Sequence, residues 1–181
     1  MLAIAWCRKL GAAGSVLEDP AIGLLRSSLD AMTETVRSAS QRKADTLARL
    51  ENDADVWVAT ASAGRPHLVP LSLAWDGTHV IAATPASSRT ARNAAASREL
   101  RLALGTSRDV TIIDANADVV PCGDAPDPIA GSYASRTGWD PRDEDVPHVY
   151  LIATPTSMQA WNSLAEIEGR TIMRNGMWTA V

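Results

Sequence analysis

Phenylalanine is absent from this chain and tyrosine is reduced to two residues. Six tryptophans must supply the large core pieces, and Leu, Val, Ile and Ala the bulk of the packing. Cysteine is nearly absent as well. Cys7 and Cys122 stand far apart and form no CxxC pair, which argues against a disulfide framework and fits a reduced, cytoplasmic protein. The histidines His67, His79 and His148 are scattered with no metal-ligand spacing, and His67 and His79 read as surface residues of strands. The acidic run containing Asp140, Asp143, Glu144 and Asp145 lacks the glycine and spacing of a calcium loop and reads as a solvated turn, so no metal is expected. No window approaches the ~20 apolar residues of a membrane span. There is no basic surplus either. With 17 basic and 21 acidic residues the net charge is -4, which argues against nucleic acid as a partner. No GxGxxG follows a strand and no GxSxG occurs. Without an evident acid–base or nucleophile set, any chemistry falls to a bound cofactor.

A chain of 181 residues with 46% apolar content is enough for one domain with a sizeable core. Its first stretch, MLAIAWCRKLGAAGS, places Arg8 and Lys9 after a short apolar run, the reverse of a secretory signal. Residues 1–31 show no sustained periodicity and are expected to form a poorly ordered extension. Regular patterning begins after Met32, so the folded domain is expected over 32–181. Whether Met32 is the natural start or the extension is loosely docked stays open. Leu25 and Leu29 are spaced to share a helix face.

Ser38 and Gln41 form a capping box, with Ala44, Leu47 and Ala48 as the apolar stripe of the helix that follows and Asn52 as its stop. Strands are expected over 56–61, 67–75 and 80–84, joined by turns at Ala63-Gly64 and Asp76-Gly77, the latter as a type I′ hairpin. A short helix runs from Ser88 to about Ser97. Residues 100–104 alternate as a strand, 105–108 turn the chain, and 110–120 form a strand or a bent pair. Asp127 is the expected N-cap of a helix with Pro128 at its first turn and Gly138 at its end. A strand over 149–153, apolar on both faces, needs cover from outside one sheet face, and a second copy of the chain is the expected cover. A hairpin at Asn175-Gly176 closes the chain. The fold class is α+β, mainly β: a six-stranded antiparallel barrel with a few covering helices.

The segment from Thr84 to Asn93, TPASSRTARN, is the best local site. Ser87 or Ser88 can cap the helix while the next N–H groups stay available, and Arg89 and Arg92 bring positive charge, which suits a phosphate. An ordinary capped helix with solvated arginines is the plainer alternative. Pro70 interrupts a strand, which marks either an edge or a place where a ligand meets the backbone, with Leu71 and Ser72 offering main-chain groups to a ring.

The stretches GRPHLVPLSLAWDGTHVIAAT, SSRTARN and LRLALGTSRDV, with the tail QAWNSLAEIEGRTIMRNGMW, resemble the pyridoxamine-phosphate-oxidase-like split-barrel family over residues 45–178. The resemblance implies a split β-barrel, a homodimer, FMN or deazaflavin at the dimer interface, and hydride transfer to or from a small organic substrate. A barrel that holds cofactor or small ligand without turnover is the alternative. By the same resemblance Ser88, Arg89 and Thr90 match the loop that grips the cofactor phosphate, with a lysine frequent in the family where Thr90 stands. Trp161 and Arg170 or Arg174 resemble residues that close the site near the ring. True vitamin B6 phosphate oxidases carry Arg and Lys on the second strand, and residues 69–74 here have neither, which argues against that activity.

Overall fold

A computed structural model of the chain describes residues 36–179. The expectations for residues 1–31 and for Met32 lie outside the described residues. The elements run α1 (Ala39–Asn52), β1 (Asp55–Ser62), β2 (Arg65–Ser72), β3 (Ala74–Trp75), β4 (Val80–Pro85), α2 (Arg89–Ser97), β5 (Glu99–Thr106), β6 (Asp109–Pro121), α3 (Asp127–Thr137), β7 (His148–Trp161), β8 (Thr171–Arg174) and β9 (Met177–Trp178). Every pairing is antiparallel, in the order β2-β1-β5-β6-β7-β4-β3, with β8 on β7 and β9 on β8. Six long strands carry the architecture. The short β3, β8 and β9 extend the expected count. The result is a curled antiparallel sheet, an α+β split barrel.

The curl comes from β6 and β7. Strand β6 pairs with β5 over 109–116 and with β7 over 110–121. Strand β7 holds β6 along one edge, and on the other edge takes β4 at 148–153 and β8 at 157–159. The register with β6 shifts where Asp114 faces Ser157 but Ala115 faces Pro155, leaving Thr156 as an extra residue. A bulge at a proline bends the strand and increases its twist. The Thr156 hydroxyl donates to the Asp114 carbonyl at 3.0 Å and fixes the bend. The strand expected over 149–153 is therefore the first half of one long strand.

One core fills the inside of the curl. Val56 and Val58, Leu100, Leu102 and Leu104, Ile113 and Leu151 meet there with Leu50 of α1 and Ala94 of α2. A second core lies on the other face of β4 and β7, where Ile81, Ala83, Tyr150 and Ile152 sit beneath Ala130 and Tyr133 of α3. The rings of Tyr133 and Tyr150 meet edge-to-face at 5.3 Å. This corrects the expectation that a second copy covers residues 149–153: α3 of the same chain does so. Burial raises both phenols to a pKa of about 12.

Four local readings are corrected. Ser38 caps α1 by accepting from the Gln41 N–H at 3.0 Å, but the Gln41 side chain turns to Asp45 rather than back to the cap. The buried face of α1 is Arg42, Thr46 and Leu50, while Ala44 and Ala48 are exposed. Arg42 and Thr46 are tolerated inside because Arg42 donates to the Gly169 carbonyl at 2.7 Å and Thr46 meets Thr111 at 3.1 Å. At the 76–79 turn only Gly77 takes positive φ, and Asp76 accepts from the Thr78 and His79 N–H groups. Asp127 is the first residue of α3 rather than its cap, which is Pro126. The turns at Ala63-Gly64 and Asn175-Gly176 have positive φ at both residues, as a type I′ hairpin requires.

The N-terminal end of the described chain is tied down by one buried carboxylate. Glu166 accepts from the Arg37 main-chain N–H at 2.8 Å, from Arg37 Nε at 3.1 Å and Nη2 at 2.9 Å, and from the Asn162 N–H at 2.8 Å. Arg37 also pairs with Asp45 and Asp109. Burial alone would raise the Glu166 pKa; the hydrogen bonds from Arg37 and Asn162 outweigh it and bring it from 4.5 down to about 2. A depressed folded-state pKa gives stability that is present above pH ~4.5 and fades as pH falls toward 2. The contribution is on the order of 3 kcal/mol. Glu166→Gln should lose about that much at pH 7 in denaturant unfolding, and the gap to the parent protein should narrow as pH falls below 4.5. A constant gap from pH 7 to pH 3 would contradict the assignment.

Candidate functional site

The loop between β4 and α2 is built by its own side chains. Pro85 ends the strand, and the Ser88 N–H returns to the Pro85 carbonyl at 2.8 Å. Ser88 takes the extended conformation of an N-cap, and its hydroxyl accepts from the Ala91 N–H at 3.0 Å and from the Thr84 hydroxyl at 3.1 Å. Having accepted twice, that hydroxyl keeps its own proton to donate. The first N–H groups of the helix, those of Arg89 and Thr90, have no carbonyl four residues back within α2. Arg89 is exposed, and its guanidinium has no ion pair or hydrogen bond among the described residues. Arg92 donates to the Ser87 carbonyl, which ties it along the loop.

The other expected members of this segment face inward. Thr90 is 2% exposed and meets His67 Nε2 at 3.1 Å. Asn93 is 6% exposed and donates to the Thr60 hydroxyl at 3.0 Å. Thr84 is buried too. Thr90 and Asn93 anchor the helix start to β2 and β1 and Thr84 ties it to β4, while Ser87, Ser88, Arg89 and Arg92 form its open side. His67 and Thr60 face each other across the β1–β2 ladder, directly beneath this anchor. Sequence reading left His67 on the surface; its alternation with Val69 and Leu71 would have placed it inward.

The remaining expected residues lie elsewhere. Pro70 stands on β2, which pairs only with β1, so the proline occupies a sheet edge opposite Trp57. Leu71 packs against the inner core, and Ser72 lies 3.4 Å from Asp55. Three to five residues separate them from His67, roughly 10–17 Å along the strand. Trp161 and Arg170 form a pair of their own. The Arg170 guanidinium sits 5.9 Å from the centre of the Trp161 ring and donates to Gln159 at 2.8 Å and to the Ile167 carbonyl at 2.9 Å. Arg174 is exposed on β8, opposite Ser157. Thr84 pairs with Val149 at one end of β7 and Trp161 closes the other, so about 40 Å of extended strand separates the loop from the tail residues. One chain does not bring them together.

The β1–β2 hairpin presents a sheet face with an apolar character that the sequence analysis does not anticipate. Trp57 and Leu68 are 47% and 58% exposed, and Ala59, Ala61 and Pro66 share their face. A groove of about 570 Å³ crosses it, lined by Ala59, Ala61, Pro66 and Thr156 together with the Arg101–Asp114 ion pair. Among the described residues no group of three or more His, Cys, Asp or Glu is placed to hold a metal, and no helix is long and apolar enough to cross a membrane.

No family model and no curated protein matches the sequence. Solved structures do. A protein from Clostridium acetobutylicum, related to general stress protein 26 and assigned to the pyridoxinephosphate oxidase family, matches with a TM-score of 0.54 and 13% identity over 67% of this chain and 88% of its own. General stress protein 26 from Bacillus anthracis matches with a TM-score of 0.54 and 15% identity over 65% of this chain and 92% of its own. A conserved hypothetical protein from Mycobacterium tuberculosis matches with a TM-score of 0.55 and 16% identity over 66% of this chain and 84% of its own. The shared fold is the one that the sequence resemblance implies.

The cap geometry carries a direct consequence. Ser88→Ala removes the acceptor of the Ala91 N–H and should cost about 1 kcal/mol in urea unfolding. Ser87→Ala should stay within about 0.5 kcal/mol of the parent. A larger loss for Ser87→Ala than for Ser88→Ala would move the cap to Ser87.

Proposed function

We propose that this protein is an oxidoreductase that binds FMN or a deazaflavin and passes hydride to or from a small organic substrate. The observation that carries the reading is the unpaired Arg89 guanidinium beside the open first turn of α2, with the spare Ser88 proton next to it. Donors, a helix dipole and one free cation on a single exposed loop are what a phosphate requires. Ser87, Ser88 and Arg89 would hold the phosphate, with Thr90, Asn93 and His67 keeping the loop in place behind it. The bound ring would supply the redox chemistry. The chain's part is to bind, orient and exclude water, so no side chain is given a proton-transfer role. The likeness to a pyridoxinephosphate oxidase family structure supports the reading at the level of the fold.

The same proposal requires a homodimer. The phosphate loop and the Trp161–Arg170 pair lie at opposite ends of β7, so they can serve one ring only across two copies. The Trp57–Leu68 face, exposed among the described residues, supports self-association there. Both cofactors suit the phosphate loop equally. A non-catalytic binding module is the second reading, favoured by the lack of acid–base side chains on the open side of the loop. Consumption of a reduced nicotinamide or deazaflavin donor by the loaded protein separates the two.

Arg89→Ala should weaken FMN or deazaflavin affinity by about 1.5–3 kcal/mol, the range for a charge-assisted hydrogen bond, in a fluorescence titration. Unchanged affinity for both would remove the loop from the site. The parent protein should sediment as a dimer at micromolar concentration, and Trp57→Asp should yield a folded monomer. A parent protein that sediments as a monomer would dismiss the shared site.

A further inference from the structure

Glu166 and Arg37 lie directly behind the tail residues. The segment 162–170 leaves β7 after Trp161 and returns at Arg170, and it is held at both ends. At its start the Asn162 N–H, one residue beyond Trp161, donates to Glu166 at 2.8 Å. Near its end the Gly169 carbonyl, one residue before Arg170, accepts from Arg42 at 2.7 Å. Arg37 completes the clamp with three donations to the Glu166 carboxylate, and the Arg42 guanidinium also donates to the Arg37 carbonyl. Inside the segment the Ile167 carbonyl takes a hydrogen bond from Arg170, the side chain that lies against Trp161. The chain of contacts is continuous: Arg37 to Glu166, Glu166 to Asn162, and the loop to the Trp161–Arg170 pair.

We propose that Arg37 and Glu166 are positioning residues that hold the Trp161–Arg170 pair in place for the ring end of the cofactor. The functional half of this statement rests on the reading above; the mechanical half does not. A buried carboxylate with four donors permits few alternative arrangements, because any shift of the loop strands a charge away from water. The pair is thus held from behind by residues that touch neither substrate nor cofactor. The phosphate end of the site, set by Ser88 and by the Thr90–His67 and Asn93–Thr60 contacts, shares none of these bonds. Loosening the clamp should therefore affect ring binding and spare phosphate binding. A general loss of structure would affect both.

The test uses the full chain labelled with 5-fluorotryptophan, with resonances assigned by single Trp→Phe variants. Arg37→Met strands the Glu166 charge, so the double variant Arg37→Met with Glu166→Leu is made beside it to remove both charges. In whichever variant folds, the Trp161 resonance should shift or broaden while those of Trp75 and Trp139 hold. Asp45→Asn, which strips Arg37 of another partner but leaves Glu166 bound, should leave Trp161 unmoved. FMN affinity should fall by about tenfold, the scale of a lost cation–π and stacking contact, with inorganic phosphate affinity held within about twofold. An unmoved Trp161 resonance in a folded variant overturns the clamp, and so does an equal loss of FMN and phosphate affinity. If the parent protein binds neither FMN nor phosphate, the cofactor reading fails, and the Trp161 resonance alone decides the clamp.

Discussion

Residues 149–153 of strand β7 are paired along both edges and covered on both faces, and the rest of the molecule is arranged around that constraint. Val149, Leu151 and Ala153 point into the curled sheet, while Tyr150 and Ile152 point under α3. A strand with no free edge and no wet face has one permitted register, since a one-residue slip would exchange the two cores. The bulge at Thr156 then sets where the strand can turn away from β4 and accept β8. Both ends of the candidate site inherit their positions from this strand: the β4–α2 loop through the pairing of Thr84 with Val149, and the Trp161–Arg170 pair through the strand's own last residue.

Much of the frame was legible because turns are local. Ala63-Gly64 and Asn175-Gly176 are read from two residues each and the Gly138 stop from one, while the α2 cap, open in the sequence between Ser87 and Ser88, falls to Ser88. What was misread depended on contacts far along the chain. The stripe on α1 reads as Ala44, Leu47 and Ala48, and of these only Leu47 packs against the core. The face that is buried carries Arg42 and Thr46, whose partners Gly169 and Thr111 no local pattern reveals. The continuation of β7 was hidden by Pro155, which ends a strand in a local reading but sits at a bulge here. Residues 149–153 look uncovered in the sequence because nothing local to them shows that α3 lies over the same sheet.

The site divides in the same way. Ser88 and Arg89 were readable as a capped, cationic helix start. Thr90 and Asn93 belong to the same run of letters, but their side chains point the other way, because the helix turns them toward β1 and β2. A local motif names a segment, and helical geometry then assigns alternate members to the ligand side and the anchoring side. His67 gained its place from strand alternation across a hairpin, a signal that was present and not weighed.

This division bears on how the proposed cofactor would be held. No lysine or arginine stands on residues 69–74, Thr90 is committed to His67, and Arg92 is tied to the Ser87 carbonyl. One free guanidinium and the first turn of a nine-residue helix are what remain to meet a doubly charged phosphate. Helix-dipole contributions at an exposed terminus are modest, about 0.3–1 kcal/mol, and screened by salt. Arg89 would then carry most of the loop's hold on a phosphate, with the helix terminus adding orientation. Under the proposed function the ring end would add to that hold through the Arg170 cation lying over Trp161. In the proposed dimer, binding would thus be shared between the β4–α2 loop of one copy and the Trp161–Arg170 pair of the other.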